Sequence, residues 1–139
     1  MKVPERYNYI GIFLTLRCSL NCWYCINRHS KLIKNREELS MEEWIESLDR
    51  LEINNDLPIT LEGGEPSLHS GFYDIIKDVK YPIDILTNLQ FDVDEFIDKI
   101  LPEWLNSGRK ESYKSIRVSY HSQNQDELVS KIVKLQKAG

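Results

Sequence analysis

The sequence predicts an α/β protein in which parallel strands alternate with helices. Three observations favour this fold class: short apolar runs of strand length, intervening segments with apolar residues at helical spacing, and a strict alternation of the two. Each strand–helix unit takes roughly 30 residues, as a βαβ element does. The alternation implies a parallel sheet with right-handed crossovers, and the 139 residues suit one domain over 1–139.

Four segments predict strands. The first, Ile10 to Leu16, is apolar almost throughout, which suits a parallel strand that is buried on both faces. Two further apolar runs follow at Leu57–Leu61 and Pro82–Thr87. The last strand is expected at Ser115–Tyr120, where alternation separates an apolar face from a polar face that carries Arg117, Ser119 and His121.

Four segments predict helices. Ser40–Glu43 has the pattern of a capping box, so the first helix is expected from about Met41 to about Glu52. The second is expected from about Gly71 to Lys80. A second capping-box pattern, Asp92–Glu95, opens the third helix, and the last runs from about Asp126 to Ala138.

Composition and charge exclude several classes of protein. The net charge of −4 disfavours nonspecific binding to nucleic acids or anionic membranes. No apolar run approaches the roughly 18 residues of a membrane span, and the N-terminus lacks the apolar core of a signal peptide. Clustered cysteines of odd number without a secretory signal indicate metal binding in a reducing compartment, so we expect a cytoplasmic protein.

All three cysteines lie within eight residues, as Cys18, Cys22 and Cys25, with the spacing C-x3-C-x2-C. Thiolates are strong ligands for soft metals and for iron–sulfur clusters. Three ligands leave one metal position open, and an open position is where chemistry can occur. The same cysteines with His29 have the spacing of a Cys3His zinc site, which is the structural alternative.

The cysteine segment, with Tyr24 directly before the third cysteine, resembles the signature loop of the radical S-adenosylmethionine (radical SAM) enzymes. The segment Gly63-Gly64-Glu65-Pro66 resembles the motif that ends the second strand of that family and holds the amino group of SAM. The two motifs in this order are much more specific than either alone. The resemblance implies that the three cysteines bind three irons of a [4Fe–4S] cluster, whose fourth iron binds SAM.

The same resemblance refines the expected fold to a partial parallel (β/α) barrel. The family core usually has six βα units, and this chain supplies about four. The resemblance therefore covers nearly the whole chain but only about the first two thirds of the core. We expect a chain that is truncated at its C-terminal end, or one whose barrel is completed by a partner or a missing segment.

Further contacts to SAM are implied at three positions. Tyr24 is expected near the adenine. Ser119, and after it His121, ends the fourth strand, where polar residues of the family contact the carboxylate or ribose of SAM. Asn88 lies where the family often has Thr-Asn-Gly, although Leu89 replaces the glycine here. No residue is assigned as catalytic.

The implied activity is the reductive cleavage of SAM to methionine and a 5′-deoxyadenosyl radical, which abstracts hydrogen from a substrate. The implied partners are a one-electron donor such as flavodoxin or ferredoxin and a substrate that the sequence does not identify. Because no cysteine follows Cys25, this chain cannot bind an auxiliary cluster through thiolates. Two alternatives stay open: the non-catalytic Cys3His zinc or interaction module, and a cluster protein that only senses redox state.

Overall fold

The computed structural model describes residues 1–29, 37–53, 57–100, 115–121 and 125–138. They contain a four-stranded parallel sheet in the order β1-β2-β3-β4. The strands are β1 (Ile10–Thr15), β2 (Ile59–Gly63), β3 (Ile83–Thr87) and β4 (Ile116–Val118). Chain order and spatial order coincide, as in successive βα units of an open barrel wall. The predicted α/β class and partial barrel are confirmed.

Five α-helices lie between and after the strands in the described residues. They are α1 (Ile26–His29), α2 (Met41–Asp49), α3 (Phe72–Asp78), α4 (Val93–Lys99) and α5 (Gln125–Ala138). The single turn of α1, directly after Cys25, was not predicted, because one turn is too short to show a helical period. A 3-10 turn, Pro66–Leu68, follows β2. None of the described helices combines the length and the apolar character that crossing a membrane requires.

Side-chain caps fix the starts of two helices. The capping box predicted for α2 is present: Ser40 Oγ accepts a hydrogen bond from the Glu43 backbone N–H, and the Ser40 N–H donates to Glu43 Oε2 at 2.7 Å. At α4, Asp92 Oδ1 accepts from the backbone N–H groups of Asp94 and Glu95. These caps place the helices that cover the sheet.

The main core lies between one face of the sheet and the helices. Ile59, Leu61, Ile83 and Ile85 occupy adjacent positions of β2 and β3 on this face, and all four are fully buried. The rings of α3 and α4 pack with them in one apolar cluster, which includes Phe72 and Phe96. Burial of this face fixes the register of the strands, since a shift by one residue would turn these side chains outward.

The first strand is not buried on both faces, so that part of the prediction is wrong. Leu14 is buried in the core, whereas Phe13 is 54% exposed on the opposite face. Helices α2 to α5 pack against the core side of the sheet. An apolar side chain on the other side therefore remains accessible, and Phe13 lines the pocket described below.

The face of the sheet opposite the core is polar at its centre. Thr60 and Asp84 are buried there. Arg117 of β4 donates hydrogen bonds to Thr60 Oγ1 at 2.9 Å and to the Tyr9 hydroxyl at 3.4 Å. The predicted alternation of β4 is thus confirmed for Arg117, which lies on the face opposite Ile116 and Val118 of the core.

Candidate functional site

The carboxyl ends of all four strands border one pocket of about 220 Å³. Parallel α/β sheets bind ligands at this edge, because the loops that follow the strands meet there. Eight of the ten residues predicted for the site line the pocket: Cys18, Cys22, Tyr24, Cys25, Gly63, Gly64, Asn88 and Ser119. Residues far apart in sequence are therefore brought together as the topology predicts.

The other two predicted residues, Glu65 and Pro66, are buried and do not line the pocket. The Glu65 carboxylate accepts hydrogen bonds from the hydroxyls of Ser67 and Thr87 and from the Asn88 backbone N–H at 2.7–2.8 Å. It is therefore engaged by the protein, and it links β2 to the end of β3. Its contact with SAM stays a prediction.

Gly63 and Gly64, at the end of β2, allow a close approach of main chains. The Gly64 N–H donates to Thr15 O at 2.9 Å, and the Glu65 N–H donates to Arg17 O at 2.7 Å. A Cβ atom at Gly64 would lie 2.0 Å from Arg17 O, and one at Gly63 would lie 2.1 Å from Thr15 O. Gly63 also has φ = +136°, which side chains rarely permit. The glycines thus attach the end of β2 to residues 15–17, which form the stem of the cysteine loop.

Within the described loop the three cysteines are free thiols. Nitrogen atoms lie near two of the sulfurs. The Leu20 backbone N–H donates to Cys18 Sγ at 3.4 Å, and Asn88 Nδ2 donates to it at 3.5 Å. His121 Nδ1 lies 3.5 Å from Cys22 Sγ. Such N–H groups stabilise negative charge on sulfur when the thiolates act as ligands.

The local environment opposes ionisation of the free Cys18 thiol. Burial raises the pKa of Cys18, and the charges of Glu65, Cys22 and Cys25 add to this shift, whereas the hydrogen bond from Leu20 lowers it. A cation placed among the three cysteines would reverse this balance, because it favours the thiolate.

The described side chains do not form a ready coordination sphere. Among them, no three His, Cys, Asp or Glu groups stand close enough to hold a metal ion. The fit to a cluster therefore rests on the donor set, three thiols in the wall of one pocket, and not on converged ligands. The side chain of His29, the fourth ligand of the zinc alternative, lies outside the described residues.

An ion pair holds the stem of the cysteine loop. Arg17 contacts Glu38 through two hydrogen bonds of 2.8 Å, and it also donates to Leu68 O at 2.6 Å. The Thr15 hydroxyl bonds to the same carboxylate. The Arg17 hydrogen bonds hold the pKa of Glu38 below its usual value, and Glu38 raises that of Arg17. Arg17 thus ties the loop to the segment before α2.

The structure adds contacts within the pocket that the sequence did not show. His121, which follows Ser119 at the end of β4, contacts the cysteine loop through Nδ1, which lies 3.2 Å from the Tyr24 hydroxyl. Glu62 lines the pocket and accepts a hydrogen bond from the Tyr9 hydroxyl at 3.2 Å. Alternation along β2 could have indicated Glu62, which lies on the same face as Thr60.

The turn after β3 keeps a left-handed backbone without the glycine of the family motif. Leu89 has φ = +58° and is fully buried. Its N–H donates to Thr87 Oγ1 at 2.9 Å, and its carbonyl accepts a hydrogen bond from Lys131. Asn88 precedes it and accepts a hydrogen bond from the Gln90 N–H at 3.0 Å. Burial and these bonds offset the strain, so the turn directs Asn88 toward Cys18.

Comparison with known proteins agrees with the site geometry. The family model of the Radical SAM superfamily matches residues 12–138. A GTP 3′,8-cyclase of Clostridium perfringens is 29% identical over 79 residues, which are 56% of this chain and 24% of the relative. The sporulation killing factor maturation protein SkfB of Bacillus subtilis is 38% identical over 63 residues, 45% of this chain and 15% of the relative.

A third relative is molybdenum cofactor biosynthesis protein 1 of Bos taurus, 32% identical over 77 residues, 55% of this chain and 12% of the relative. The chain therefore matches about a quarter or less of the length of these relatives. No solved structure matches it significantly. Because the family model covers nearly the whole sequence, the chain belongs to the radical SAM superfamily.

Proposed function

We propose that the chain binds a [4Fe–4S] cluster through Cys18, Cys22 and Cys25 and binds S-adenosylmethionine beside it for reductive cleavage. One observation carries this proposal. The three thiols and the Gly63-Gly64 turn, which belong to different βα units, line the same pocket at the strand ends. Family membership supports the general chemistry.

The pocket wall has groups that suit the parts of SAM. Its ammonium group needs acceptors, and Glu62 is the carboxylate of the wall, beside the backbone of Gly63 and Gly64. Phe13 and Leu86 supply apolar surface for the adenosine. Glu65, engaged by Thr87 and Asn88, supports the wall from behind. We therefore propose that Glu62 joins the predicted segment Gly63-Gly64-Glu65-Pro66 in holding the amino group, with Ser119, Asn88 and Tyr24 as further contacts to SAM.

A [4Fe–4S] cluster held by Cys18, Cys22 and Cys25 would, when reduced, supply one electron for cleavage of the carbon–sulfur bond of SAM, which would give methionine and a 5′-deoxyadenosyl radical able to abstract hydrogen. The protein has to orient SAM, exclude water and set the potential of the cluster. A flavodoxin or ferredoxin is the proposed electron donor. The named relatives include a GTP cyclase and a maturation protein for a killing factor. We therefore propose the shared chemistry and assign no substrate.

Anaerobic reconstitution with iron and sulfide tests the proposal. The reduced protein is expected to give an EPR signal that changes when SAM is added, and SAM cleavage is measured as 5′-deoxyadenosine. Each of the variants Cys18→Ala, Cys22→Ala and Cys25→Ala should lose the cluster, whereas His29→Ala should load normally.

The outcomes separate the alternatives. Zinc binding that collapses in His29→Ala, with no cluster in the wild-type protein, would favour the Cys3His module. A cluster signal that is indifferent to SAM would favour a redox-sensing protein. Normal iron content in all three cysteine variants would overturn the assignment of the ligands.

A further inference from the structure

His121 connects the two outer strands of the sheet across the mouth of the pocket. It follows β4, whereas Cys22 and Tyr24 lie in the loop after β1. Two strands separate β1 from β4 in the sheet. The His121 Nδ1 atom nevertheless lies 3.5 Å from Cys22 Sγ and 3.2 Å from the Tyr24 hydroxyl oxygen. One ring nitrogen therefore reaches a sulfur and an aromatic residue of the cysteine loop.

The contact with His121 helps to hold the cysteine loop in position, because the part of the loop around Tyr24 is exposed. Tyr24 is 61% exposed, and its ring contacts the exposed Trp23 edge-on at 5.5 Å. Packing against the core therefore does not fix this part of the loop. Arg17 holds the stem at the other end through Glu38 and Leu68. His121 gives the distal part a second attachment, on the opposite side of the pocket.

The chemistry of the contact assigns the donor. A neutral imidazole carries one proton, and a metal-bound cysteine is a thiolate that can only accept. With its proton on Nδ1, His121 donates to the Cys22 sulfur, the more negative of its two neighbours. Reduction adds negative charge to the cluster and its sulfur ligands, so a hydrogen bond to sulfur stabilises the reduced form more than the oxidised form.

We propose that His121 is a positioning residue that holds Cys22 and Tyr24 at the pocket and raises the reduction potential of the cluster through an N–H···S hydrogen bond to Cys22. The inference rests on the proposed function, because it requires that Cys22 is a cluster ligand. The residue His121, which follows β4, would thus influence the reduction potential of the cluster. This role is separate from the proposed contact between Ser119 and SAM.

An EPR-monitored redox titration of the reconstituted protein tests the inference. His121→Phe keeps a flat ring but removes both nitrogens, and it should lower the midpoint potential. His121→Asn places an amide N–H near the position of Nδ1 and should restore the potential toward the wild-type value. His121→Gln places its amide near Nε2 instead, so it should resemble His121→Phe.

Tyr120→Phe is the matched control. The Tyr120 hydroxyl bonds to Gln125 at 3.2 Å, and Tyr120 does not line the pocket. This control should keep the wild-type potential. The Asn and Gln variants make the decisive comparison even if His121→Phe holds less iron.

Each result has a defined meaning. A lower potential in His121→Gln than in His121→Asn, at equal iron and sulfide content, supports the hydrogen bond. Equal potentials in the wild type and both amide variants overturn it while leaving the proposed function intact. A wild-type protein that takes up no cluster overturns the proposed function and this inference together.

Discussion

The Oε1 atom of Glu65 accepts a hydrogen bond from the Thr87 hydroxyl at 2.7 Å, which joins the segment after β2 to the end of β3. Its Oε2 atom accepts from the Asn88 N–H at 2.8 Å. Glu65 is only 1% exposed, so water cannot replace it as the acceptor. Glu65, which the resemblance predicts as a contact to SAM, therefore connects the two central strands of the pocket.

Replacing Glu65 should destabilise the fold as well as the site. Glu65→Ala leaves the buried donors of Thr87 and Asn88 without their acceptor, and it should lower the free energy of unfolding by about 3 kcal/mol or more. Glu65→Gln keeps one acceptor oxygen and should cost about 1–3 kcal/mol. Urea denaturation measures both values. Ser67→Ala removes only one donor and is the control; an equal loss in Ser67→Ala and Glu65→Ala would contradict the linking role.

Gly64 should tolerate a methyl group far less well than Gly11. An added Cβ would lie 2.0 Å from Arg17 O at Gly64 and 2.0 Å from Glu62 Oε1 at Gly11. The obstacle at Gly64 is main chain. At Gly11 the obstacles are side chains that can rotate away, the Glu62 carboxylate and the Tyr9 ring, whose Cε1 would lie 2.9 Å from the added Cβ. Gly64→Ala should therefore lower stability by about 3 kcal/mol, and Gly11→Ala should stay within about 1 kcal/mol.

Thermal and urea unfolding of the two glycine variants make this comparison. Iron loading is a second measurement, because Gly64 also holds the stem of the cysteine loop. Similar stability losses in both variants would show that the main-chain contact to Arg17 is not the constraint.

At Leu89, substitution by glycine should cost less stability than substitution by alanine, which is the reverse of the usual order. Leu89→Ala empties a fully buried position and keeps the left-handed backbone, so it should cost about 2–5 kcal/mol. Leu89→Gly loses the same side chain but relieves the left-handed strain of about 1 kcal/mol, and it should be the less harmful change. At Leu61, fully buried in the extended backbone of β2, alanine should be the better substitute. The same order at both positions would contradict the strain at Leu89.

Acidification should weaken the attachment of the cysteine loop through Glu38. Its pKa is lowered from 4.5 mainly by the hydrogen bond from Arg17. A lowered pKa in the folded state means that the stabilisation is fully present above the unfolded value and is lost as the pH falls through the folded value. Because Arg17 is 58% exposed, the contribution should be about 1 kcal/mol or less.

Unfolding free energies of the wild type and Glu38→Gln between pH 7 and pH 3 test this expectation. The difference between the two proteins should shrink below about pH 4.5. Glu46→Gln, which removes a highly exposed pair with Arg50, should change stability little at any of these pH values. A constant difference between wild type and Glu38→Gln would contradict the assigned ion pair.

Periodicity and cap residues in the sequence were enough to predict the alternating fold, and the resemblance of two motifs to the radical SAM family predicted much of the pocket lining. Ile59 and Ile83 belong to short apolar runs, and Ser40 with Glu43 marks the start of α2. These signals are local, so neighbouring residues suffice to read them. Once the strands are parallel, their carboxyl ends must lie at one edge, which is why Cys18, Gly63 and Asn88 meet as predicted.

The sequence by itself therefore determined the order of elements and the edge of the sheet at which the predicted site residues meet. Only the tertiary structure decided that Glu65 is buried between two strands, that Phe13 is exposed and that His121 reaches Cys22. The physical reason is the range of the interactions. A helical or strand period depends on residues a few positions apart, whereas the partner of a polar atom depends on how segments from different βα units pack together.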